Sequence, residues 1–410
     1  MPIINIFSGT FCNKSAFIRA IQEGGKISLI TDKEIIAEAG RLSGIAETKI
    51  ERAFFAKTSV FNKFTHERER SIAYLRLAIA QMLSGDNLIF EGFAGSLIPK
   101  DITHVLRICL IADKKNRILL ASKELNISEN EASKIIQKQN ENSAYWIHKL
   151  FRLNDPWDIS LYDMVFPMDK TNIDEAASLI KENFAKDALK ITDRSKQAVL
   201  DFQLAAKVGV ALAKQGHNVD VNAADGKIIL TINKHVLMLS RLESELKAIA
   251  EKVPEVRSVE TKIGSDFHQT DIYRKYDFET PSKILLVDDE RELVQTLSER
   301  LLMRDMGSAV TYDGKSALEM VKKDEPDVMI LDLKMPGIDG IEVLRRVKKT
   351  QPEIEVIILT GHGSDADRKV CMDLGAFAYL QKPVDINALS DTIKNANKKI
   401  RQSKSENTGD

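Results

Sequence analysis

Short apolar runs alternate with amphipathic helical segments near the carboxyl-terminal end of the sequence. Five apolar runs occur there, at residues 284–287, 309–312, 328–331, 356–359 and 376–380, and a segment suited to a helix follows each of them. Strands that are apolar along their whole length are typical of parallel sheets, which crossover helices cover on both faces. The pattern therefore predicts a doubly wound (βα)5 domain at residues 282–400.

A second stretch of the same kind begins with a strand at residues 3–7 and continues to about residue 184. Further strands are predicted at residues 87–90 and 105–110, and helices at residues 67–83 and 129–150. We interpret residues 1–190 as another parallel α/β domain.

The block between these stretches has a different order of elements. It predicts a helix at residues 195–214, a strand at 219–221, a turn at Asp225-Gly226, a strand at 227–232, a helix around 237–250 and a strand at 256–263. We interpret residues 191–264 as a small α+β domain, residues 265–281 as a linker and residues 401–410 as a disordered tail. The fold class is therefore a multidomain α/β protein.

Composition excludes several classes of function. Lys and Arg number 59 against 60 Asp and Glu, so a formal net charge of -1 offers no basic face for DNA, and no helix-turn-helix is evident. No apolar run approaches the length of a membrane span, and the first residues lack the basic region of a signal peptide, so we predict a cytoplasmic protein without membrane contact. Cys12, Cys109 and Cys371 form no CxxC pair, which argues against a zinc site or a disulfide framework.

Carboxylates follow two of the apolar runs in the carboxyl-terminal domain. Asp288 and Asp289 end the first run, and Asp332 ends the third. The carboxyl ends of parallel strands meet at one edge of a sheet, where ligands bind in doubly wound folds. Three aspartates at that edge can share one hard cation, and we predict Mg²⁺ because it prefers oxygen ligands.

A hydroxyl and an ammonium group are predicted at the same edge. Thr360 follows the fourth run, and Lys382 follows the fifth. Phosphoryl transfer to a carboxylate needs a nucleophilic oxygen, a metal and donors that hold the phosphoryl oxygens. Any one of these residues alone could cap a helix, but the full set in this strand order favours a phosphoryl-transfer site.

Residues 283–400 resemble the receiver domain of two-component response regulators, which has a flavodoxin-like fold. The match includes the acid pair, the Asp-x-x-Met-Pro-Gly turn at residues 332–337, the Thr-Gly step at 360–361 and a Lys-Pro dipeptide at 382–383. The resemblance implies a sensor histidine kinase as phosphodonor and a cis bond between Lys382 and Pro383.

The resemblance also implies a role for each matching residue. Asp332 is the expected phosphoacceptor, and Thr360 and Lys382 are expected to bind the phosphoryl group. Tyr379 is the expected switch aromatic. The expected metal ligands are the carboxylates of Asp288, Asp289 and Asp332 and the main-chain carbonyl of Lys334.

A loop after the first strand has the length of a phosphate-binding loop. Residues 8–15 read Ser-Gly-Thr-Phe-Cys-Asn-Lys-Ser, so Asn13 stands at the second glycine of G-x-x-x-x-G-K-[ST]. Gly9, Lys14 and Ser15 could still bind ATP or another nucleotide, since backbone amides and Lys14 could cradle the phosphates and Ser15 could hold Mg²⁺. An ordinary strand, turn and helix is the alternative.

Residues 1–185 resemble the cytidylate kinase-like family, through residues 160–165 and the lid-helix start at 127–132. That family carries Arg and Asp in its lid, where we align Gln137, Asn140 and Ser143, and an arginine where this chain has Phe93. Because phosphoryl transfer needs positioned cations, a nucleotide-sensing or purely structural pseudokinase is favoured over an active kinase. Nearby cations could substitute for the missing clamp residues of the family, namely Arg107, Arg117, Lys134 and Lys138.

The middle block resembles a BON domain, which implies an interaction module, and a ligand-free spacer is the alternative. Our hypothesis is a response regulator that takes a phosphoryl group onto Asp332 from a histidine kinase and transmits that state to its amino-terminal domains. The alternative is an enzyme, a nucleoside monophosphate kinase regulated by its receiver. The sequence does not identify the output protein, and a second copy of the chain is a further candidate partner.

Overall fold

The computed structural model describes residues 3–23, 27–56, 59–184, 186–236, 238–268, 283–304, 306–361 and 363–406. The chain divides into two compact units, residues 1–58 with 68–273 and residues 59–67 with 274–410. The finer division of the first unit at residue 190 stays a prediction. The predicted linker is described only at residues 265–268, a short 3-10 helix, and its remainder lies outside the described residues.

The first unit contains a parallel sheet in the order β2-β3-β1-β4-β5. Its strands are β1 (Ile3–Ser8), β2 (Ser28–Thr31), β3 (Leu88–Glu91), β4 (Val105–Ile111) and β5 (Met164–Pro167). The predicted strands near residues 3, 88 and 105 are confirmed. Strand β2 is not predicted from the sequence, because this edge strand reads Ser-Leu-Ile-Thr and is too short and too exposed to show an apolar run.

Helices cover both faces of this sheet. They are α1 (Lys14–Gln22), α2 (Asp32–Ser43), α3 (Glu47–Glu51), α5 (Glu67–Met82), α6 (Lys114–Leu125), α7 (Glu129–Phe151) and α8 (Ile173–Phe184), while α4 (Asn62–Thr65) belongs to the second unit. Ile3 and Phe7 of β1 join one buried cluster, and Ile4 and Ile6 join another. This alternation is the period of two that a strand buried on both faces requires.

The middle block is built on a three-stranded sheet in the order β6-β7-β8, antiparallel and then parallel. Its elements are α9 (Asp193–Lys214), β6 (Asp220–Ala224), β7 (Lys227–Ile232), α10 (Leu239–Ala250) and β8 (Ser258–Ile263). Asp225 and Gly226 both have positive φ, 46° and 77°, as a two-residue hairpin turn needs. The predicted order of elements is confirmed. The bounds of β7 are as predicted, and three of the four ends of β6 and β8 are shifted by one to three residues.

The long helix α9 joins two cores of the first unit. One set of its side chains belongs to the core beside the large sheet, namely Phe202, Ala206 and Val210. The set two residues away belongs to the core of the three-stranded sheet, namely Leu204, Val208 and Leu212. The middle block therefore shares a helix with the domain that precedes it.

The second unit contains a parallel sheet in the order β10-β9-β11-β12-β13. Its strands are β9 (Ile284–Val287), β10 (Ser308–Thr311), β11 (Val328–Leu331), β12 (Glu355–Thr360) and β13 (Ala378–Gln381). Its helices are α11 (Arg291–Leu302), α12 (Gly314–Lys323), α13 (Gly340–Thr350), α14 (Asp365–Asp373) and α15 (Ile386–Glu406). All five predicted strands are confirmed.

Helices pack on both faces of this sheet. Leu285 and Val287 share a buried cluster with α12, α13 and α14, whereas Ile284 and Leu286 share one with α11 and α15. The doubly wound prediction is confirmed. The predicted tail is wrong for residues 401–406, which continue the helix α15, and residues 407–410 lie outside the described residues.

One close backbone approach fixes the end of β11. A Cβ atom at Gly340 would lie 2.1 Å from the carbonyl oxygen of Asp332 and 2.7 Å from Cα of Leu333. Only glycine fits there, so α13 begins directly against the backbone of the residue that follows β11.

Among the described residues, we find no helix with the length and apolar character that a membrane span requires.

Candidate functional site

Three carboxylates meet at the carboxyl edge of the second sheet, as the sequence predicts. Oxygen atoms of Asp288, Asp289 and Asp332 all lie within 4.8 Å of one another. Asp288 and Asp332 are buried, at 5% and 6% exposure, and Asp289 is exposed. A group of oxygen ligands with one open side suits a hard divalent cation that keeps several waters.

Lys382 supplies the positive charge of this edge. Its Nζ atom lies 2.7 Å from Oδ2 of Asp288, 3.0 Å from Oε1 of Glu290 and 3.7 Å from Oδ2 of Asp332. Burial lowers the pKa of Lys382, but the hydrogen bonds to Asp288 and Glu290 outweigh it and raise the pKa overall. The ammonium group therefore stays charged at neutral pH. The predicted cis bond between Lys382 and Pro383 is confirmed.

The sheet fixes the backbone of Asp332, and one oxygen of its carboxylate is left without a partner among the described residues. Its N–H donates to the carbonyl of Val287 at 2.9 Å, which holds the residue beside β9. Its Oδ1 atom is buried and has no hydrogen-bond partner among the described residues. Burial raises the pKa of Asp332, and the nearby Lys382 lowers it in part. A buried carboxylate oxygen without a partner fits a site that binds a cation or a phosphoryl group.

Thr360 and Tyr379 lie on the neighbouring strands. Thr360 is the last residue of β12 and is buried, at 1% exposure. Tyr379 lies on β13, and its ring packs so close to Gly363 that a Cβ atom there would sit 1.6 Å from the tyrosine oxygen. That oxygen is buried and has no hydrogen-bond partner among the described residues. The ring is therefore held by packing alone.

Two more residues at this edge are Lys334 and Glu290. Lys334 is exposed in the loop between β11 and α13, and the role of its carbonyl stays a prediction. Glu290 was not among the predicted site residues, although it pairs with Lys382. Its position directly after the acid pair was the signal that could have identified it.

The first unit has a cavity of about 640 Å³ at the carboxyl edge of its large sheet. Residues 7–16 line one side of it, and residues 91–93 line another. The predicted loop residues Gly9, Lys14 and Ser15 are therefore brought together there. Asn13 adopts the left-handed conformation, with φ 53°, which asparagine tolerates better than most residues.

The lysine of this loop is already paired within the chain. Lys14 Nζ lies 2.5 Å from Oε1 of Glu91, the last residue of β3. A carboxylate thus occupies the position next to the ammonium group where a phosphate would bind. No local pattern in the sequence marks Glu91 as the partner of Lys14; the pair forms because β1 and β3 are adjacent parallel strands whose ends meet.

The loop after β3 is closed by a second carboxylate. Asp32 accepts hydrogen bonds from the N–H groups of Phe93 and Ala94, both at 2.8 Å. Burial raises the pKa of Asp32 to about 6, although these two bonds lower it in part. The ring of Phe93 stacks on Phe54 with centroids 5.4 Å apart, so an aromatic pair stands where the kinase-like family has a cation.

Some of the other aligned lid positions and nearby cations contact the cavity or its loop, and others do not. Arg117 donates from Nε to the carbonyl of Thr10 at 2.7 Å and from Nη2 to Oδ1 of Asn140 at 3.0 Å, so it holds the loop. Ser143 lines the cavity, whereas Gln137 is exposed and bonds to Glu141.

The remaining nearby cations do not line the cavity. Arg107 donates to the carbonyls of Val105 and Pro99, and Lys134 and Lys138 are exposed.

Two protein-family models match the chain. Residues 284–394 match the response regulator receiver domain, and residues 25–170 match the cytidylate kinase-like family.

Curated relatives match part of the chain. Response regulator MprA of Mycobacterium leprae (strain TN) is 34% identical over 112 residues, which are 27% of this chain and 49% of the relative. Response regulator MprA of Mycobacterium avium (strain 104) is 33% identical over 124 residues, 30% of this chain and 53% of the relative. The chain spans about half the length of these relatives.

Solved structures of receiver domains are also similar. A response regulator receiver domain protein from Clostridium thermocellum is 36% identical with a TM-score of 0.28, and covers 30% of this chain and 95% of its own. A CheY-like receiver domain protein from Methanospirillum hungatei JF-1 is 25% identical with a TM-score of 0.28, and covers 30% of this chain and 96% of its own.

The chain therefore contains a response regulator receiver domain at its carboxyl-terminal end and a cytidylate kinase-like domain at its amino-terminal end. Both predicted resemblances are confirmed. Neither family match covers the middle block, where the BON-like resemblance stays a prediction. The kinase-like match begins after the loop of residues 8–15, so nucleotide binding by Gly9, Lys14 and Ser15 also stays a prediction.

The pairing of Lys14 with Glu91 predicts weak phosphate binding by the first unit. Glu91→Gln removes the competing charge, so we expect the affinity for pyrophosphate to rise by up to about fivefold. That factor corresponds to the free energy that a partly exposed ion pair contributes. Isothermal titration calorimetry on the full chain measures this affinity.

The matched control is Glu182→Gln, which neutralises an exposed carboxylate on α8 and should leave the affinity unchanged. Lys14→Ala should remove the gain when it is combined with Glu91→Gln. Equal pyrophosphate affinity in Glu91→Gln and the wild type would show that Glu91 does not restrain the lysine.

Proposed function

We propose that this chain is a response regulator that accepts a phosphoryl group on Asp332 from the phosphohistidine of a sensor histidine kinase. The observation that carries the proposal is the meeting of Asp332 with two further carboxylates and Lys382 at one sheet edge. The receiver-family match at residues 284–394 supports it.

The chemistry follows from the groups at this edge. A carboxylate oxygen of Asp332 attacks phosphorus, a P–O bond forms and the P–N bond of the phosphohistidine breaks. The imidazole nitrogen keeps the electron pair and takes up a proton. Oδ1 of Asp332 suits the attacking role because it has no hydrogen-bond partner among the described residues.

Lys382 and Thr360 hold the transferred group. The Lys382 ammonium already lies 3.7 Å from Asp332 and can compensate negative charge on the phosphoryl oxygens. The Thr360 hydroxyl donates to one of those oxygens. Thr360 is buried and the Lys382 side chain is only 13% exposed, so little solvent competes with them.

Mg²⁺ is the cation we propose for the three carboxylates. Asp288, Asp289 and Asp332 would hold it, together with the main-chain carbonyl of Lys334. When bound, it neutralises the charge that gathers on the phosphoryl oxygens. The mutual approach of the three carboxylates supports this choice, since like charges this close need a counterion.

Tyr379 is the proposed switch residue. Its hydroxyl oxygen is buried without a hydrogen-bond partner among the described residues, and so the ring gives up no hydrogen bond when it turns. Capture of the Thr360 hydroxyl by a phosphoryl oxygen would favour an inward position of the ring.

The amino-terminal domain is proposed to be a nucleotide-sensing or interaction module rather than a working kinase. Lys14 is engaged by Glu91, and Phe93 stacks in an aromatic pair. A receiver-regulated nucleoside monophosphate kinase is the alternative, and turnover of CMP with ATP by the full chain would favour it. We propose that the protein is cytoplasmic. We also propose that it acts on an output protein, which the sequence does not identify, and that the middle block helps to bind that protein.

The metal proposal predicts the behaviour of an Asp289 variant. Asp289→Ala removes one of three oxygen ligands, so Mg²⁺ affinity should fall by at least about tenfold. Calorimetric titration with Mg²⁺ measures the change. Glu353→Ala removes an exposed carboxylate of the same domain and serves as control. Unchanged affinity in Asp289→Ala would mean that the acids at this edge have only a structural role.

The phosphoacceptor proposal predicts the stoichiometry of labelling. Incubation with Mg²⁺ and acetyl phosphate should add one hydroxylamine-sensitive phosphoryl group per chain, because an acyl phosphate forms on one carboxylate. Asp332→Asn should abolish the label, whereas Asp373→Asn, at an exposed aspartate on α14, should keep it. Phosphate-affinity electrophoresis measures both. Equal labelling of Asp332→Asn and the wild type contradicts the assignment.

A further inference from the structure

A short segment from the amino-terminal half of the sequence belongs to the receiver unit. Residues 59–67 group with residues 274–410, although residues 1–58 and 68–273 form the other unit. We call residues 59–67 the inserted segment. It contains α4 and ends at Glu67, the first residue of α5.

One aromatic side chain anchors the inserted segment. Phe61 is fully buried, at 0% exposure, and belongs to the core cluster that α12, α13 and α14 form with the receiver sheet. A fully buried phenylalanine is a core residue rather than a surface contact. The receiver core on this side is therefore completed by a residue more than two hundred positions away in sequence.

Two polar contacts fix the orientation of the inserted segment. The N–H group of Val60 donates to Oδ2 of Asp324, directly after α12, at 2.9 Å. Glu67 Oε2 lies 2.7 Å from Lys283 Nζ, just before β9. The two side chains of this ion pair are only 25% and 13% exposed, so water screens the pair less than it screens a surface pair.

The cluster that holds Phe61 extends to the proposed phosphoacceptor. Leu331 and Leu333, the neighbours of Asp332 in sequence, belong to it, as does Met335. Gly340, the first residue of α13, lies directly against the carbonyl of Asp332. Because packed interiors transmit strain rather than absorb it, a shift of the loop after β11 reaches the layer in which Phe61 is packed.

We propose that the inserted segment is an intramolecular output element, whose docking on the receiver changes when Asp332 is phosphorylated. The inference rests on the proposed function of Asp332. Covalent continuity supplies the remaining link, since the segment leads into α5 of the kinase-like domain. A signal passes only if the segment binds the two receiver states with different affinity, and the coupling must then be reciprocal.

Hydrogen exchange on the full chain tests the proposal. The Val60 amide is the reporter, because it donates to Asp324 only in the docked state. Beryllofluoride with Mg²⁺ replaces the phosphoryl group. We expect the exchange rate of this amide to change by at least about fivefold, the low end of coupling between sites. Asp332→Asn should show no change.

The reciprocal arm uses Phe61→Ala with Val60→Ala as its control. Loss of the Phe61 side chain should change the affinity of the chain for beryllofluoride by the same factor as that by which beryllofluoride changes the docking of the inserted segment. Val60 has a 43% exposed side chain and keeps its amide in the alanine variant, so that variant should bind beryllofluoride like the wild type. Equal affinity in Phe61→Ala and Val60→Ala contradicts the proposal.

A charge-reversal pair keeps the test valid if Phe61→Ala fails to fold. Glu67→Lys and Lys283→Glu should each weaken docking, and the double variant should restore the response of the Val60 amide. A double variant that behaves like the single ones overturns the proposed docking role.

Fluorine NMR of bound beryllofluoride on the same samples separates the two possible failures. No bound signal overturns the proposed function of Asp332 and the inference with it. A bound signal with unchanged exchange in residues 59–67 overturns the inference alone.

Discussion

The contact on which the carboxyl-terminal site depends is the ion pair between Lys382 and Asp288. Parallel strands bring their carboxyl ends to one edge, so the residues that follow β9, β11 and β13 meet although they are far apart in sequence. Three carboxylates gathered at that edge would repel one another. The half-buried ammonium group of Lys382, at 2.7 Å from Asp288 and 3.7 Å from Asp332, offsets part of this repulsion. The same charge is then available to a phosphoryl group.

The carboxyl ends of the strands also meet at one edge of the amino-terminal sheet, but the charged groups there pair differently. The loop after β1 and the end of β3 also meet at a carboxyl edge, but here Glu91 pairs with Lys14 at 2.5 Å. Arg117 is engaged by the backbone of the loop, and Asp32 is engaged by the backbone after β3. Lys14, Arg117 and Asp32 are therefore each engaged within the chain. At the receiver edge, by contrast, Lys382 faces more carboxylates than it can neutralise, so negative charge is left for a cation.

Local patterns predicted most of the fold. Strands such as β9 and β11 are continuous apolar runs, and the residues after them mark the sheet edge, so the meeting of Asp288, Asp289 and Asp332 follows from sequence order. Edge strand β2 was missed because it has no apolar run. The burial of Phe61 and the pairing of Lys14 with Glu91 depend on tertiary proximity across many residues, and no local pattern records either of them.

Direct chemical mapping of the phosphorylated residue tests the central claim, which is that Asp332 takes the phosphoryl group. Borohydride reduces an acyl phosphate of aspartate to homoserine, which peptide mass spectrometry can locate after the full chain is phosphorylated with Mg²⁺ and acetyl phosphate. We expect homoserine at position 332, while the neighbouring carboxylates Asp288 and Asp289 stay unmodified. Homoserine at either of those positions, with Asp332 intact, would contradict it.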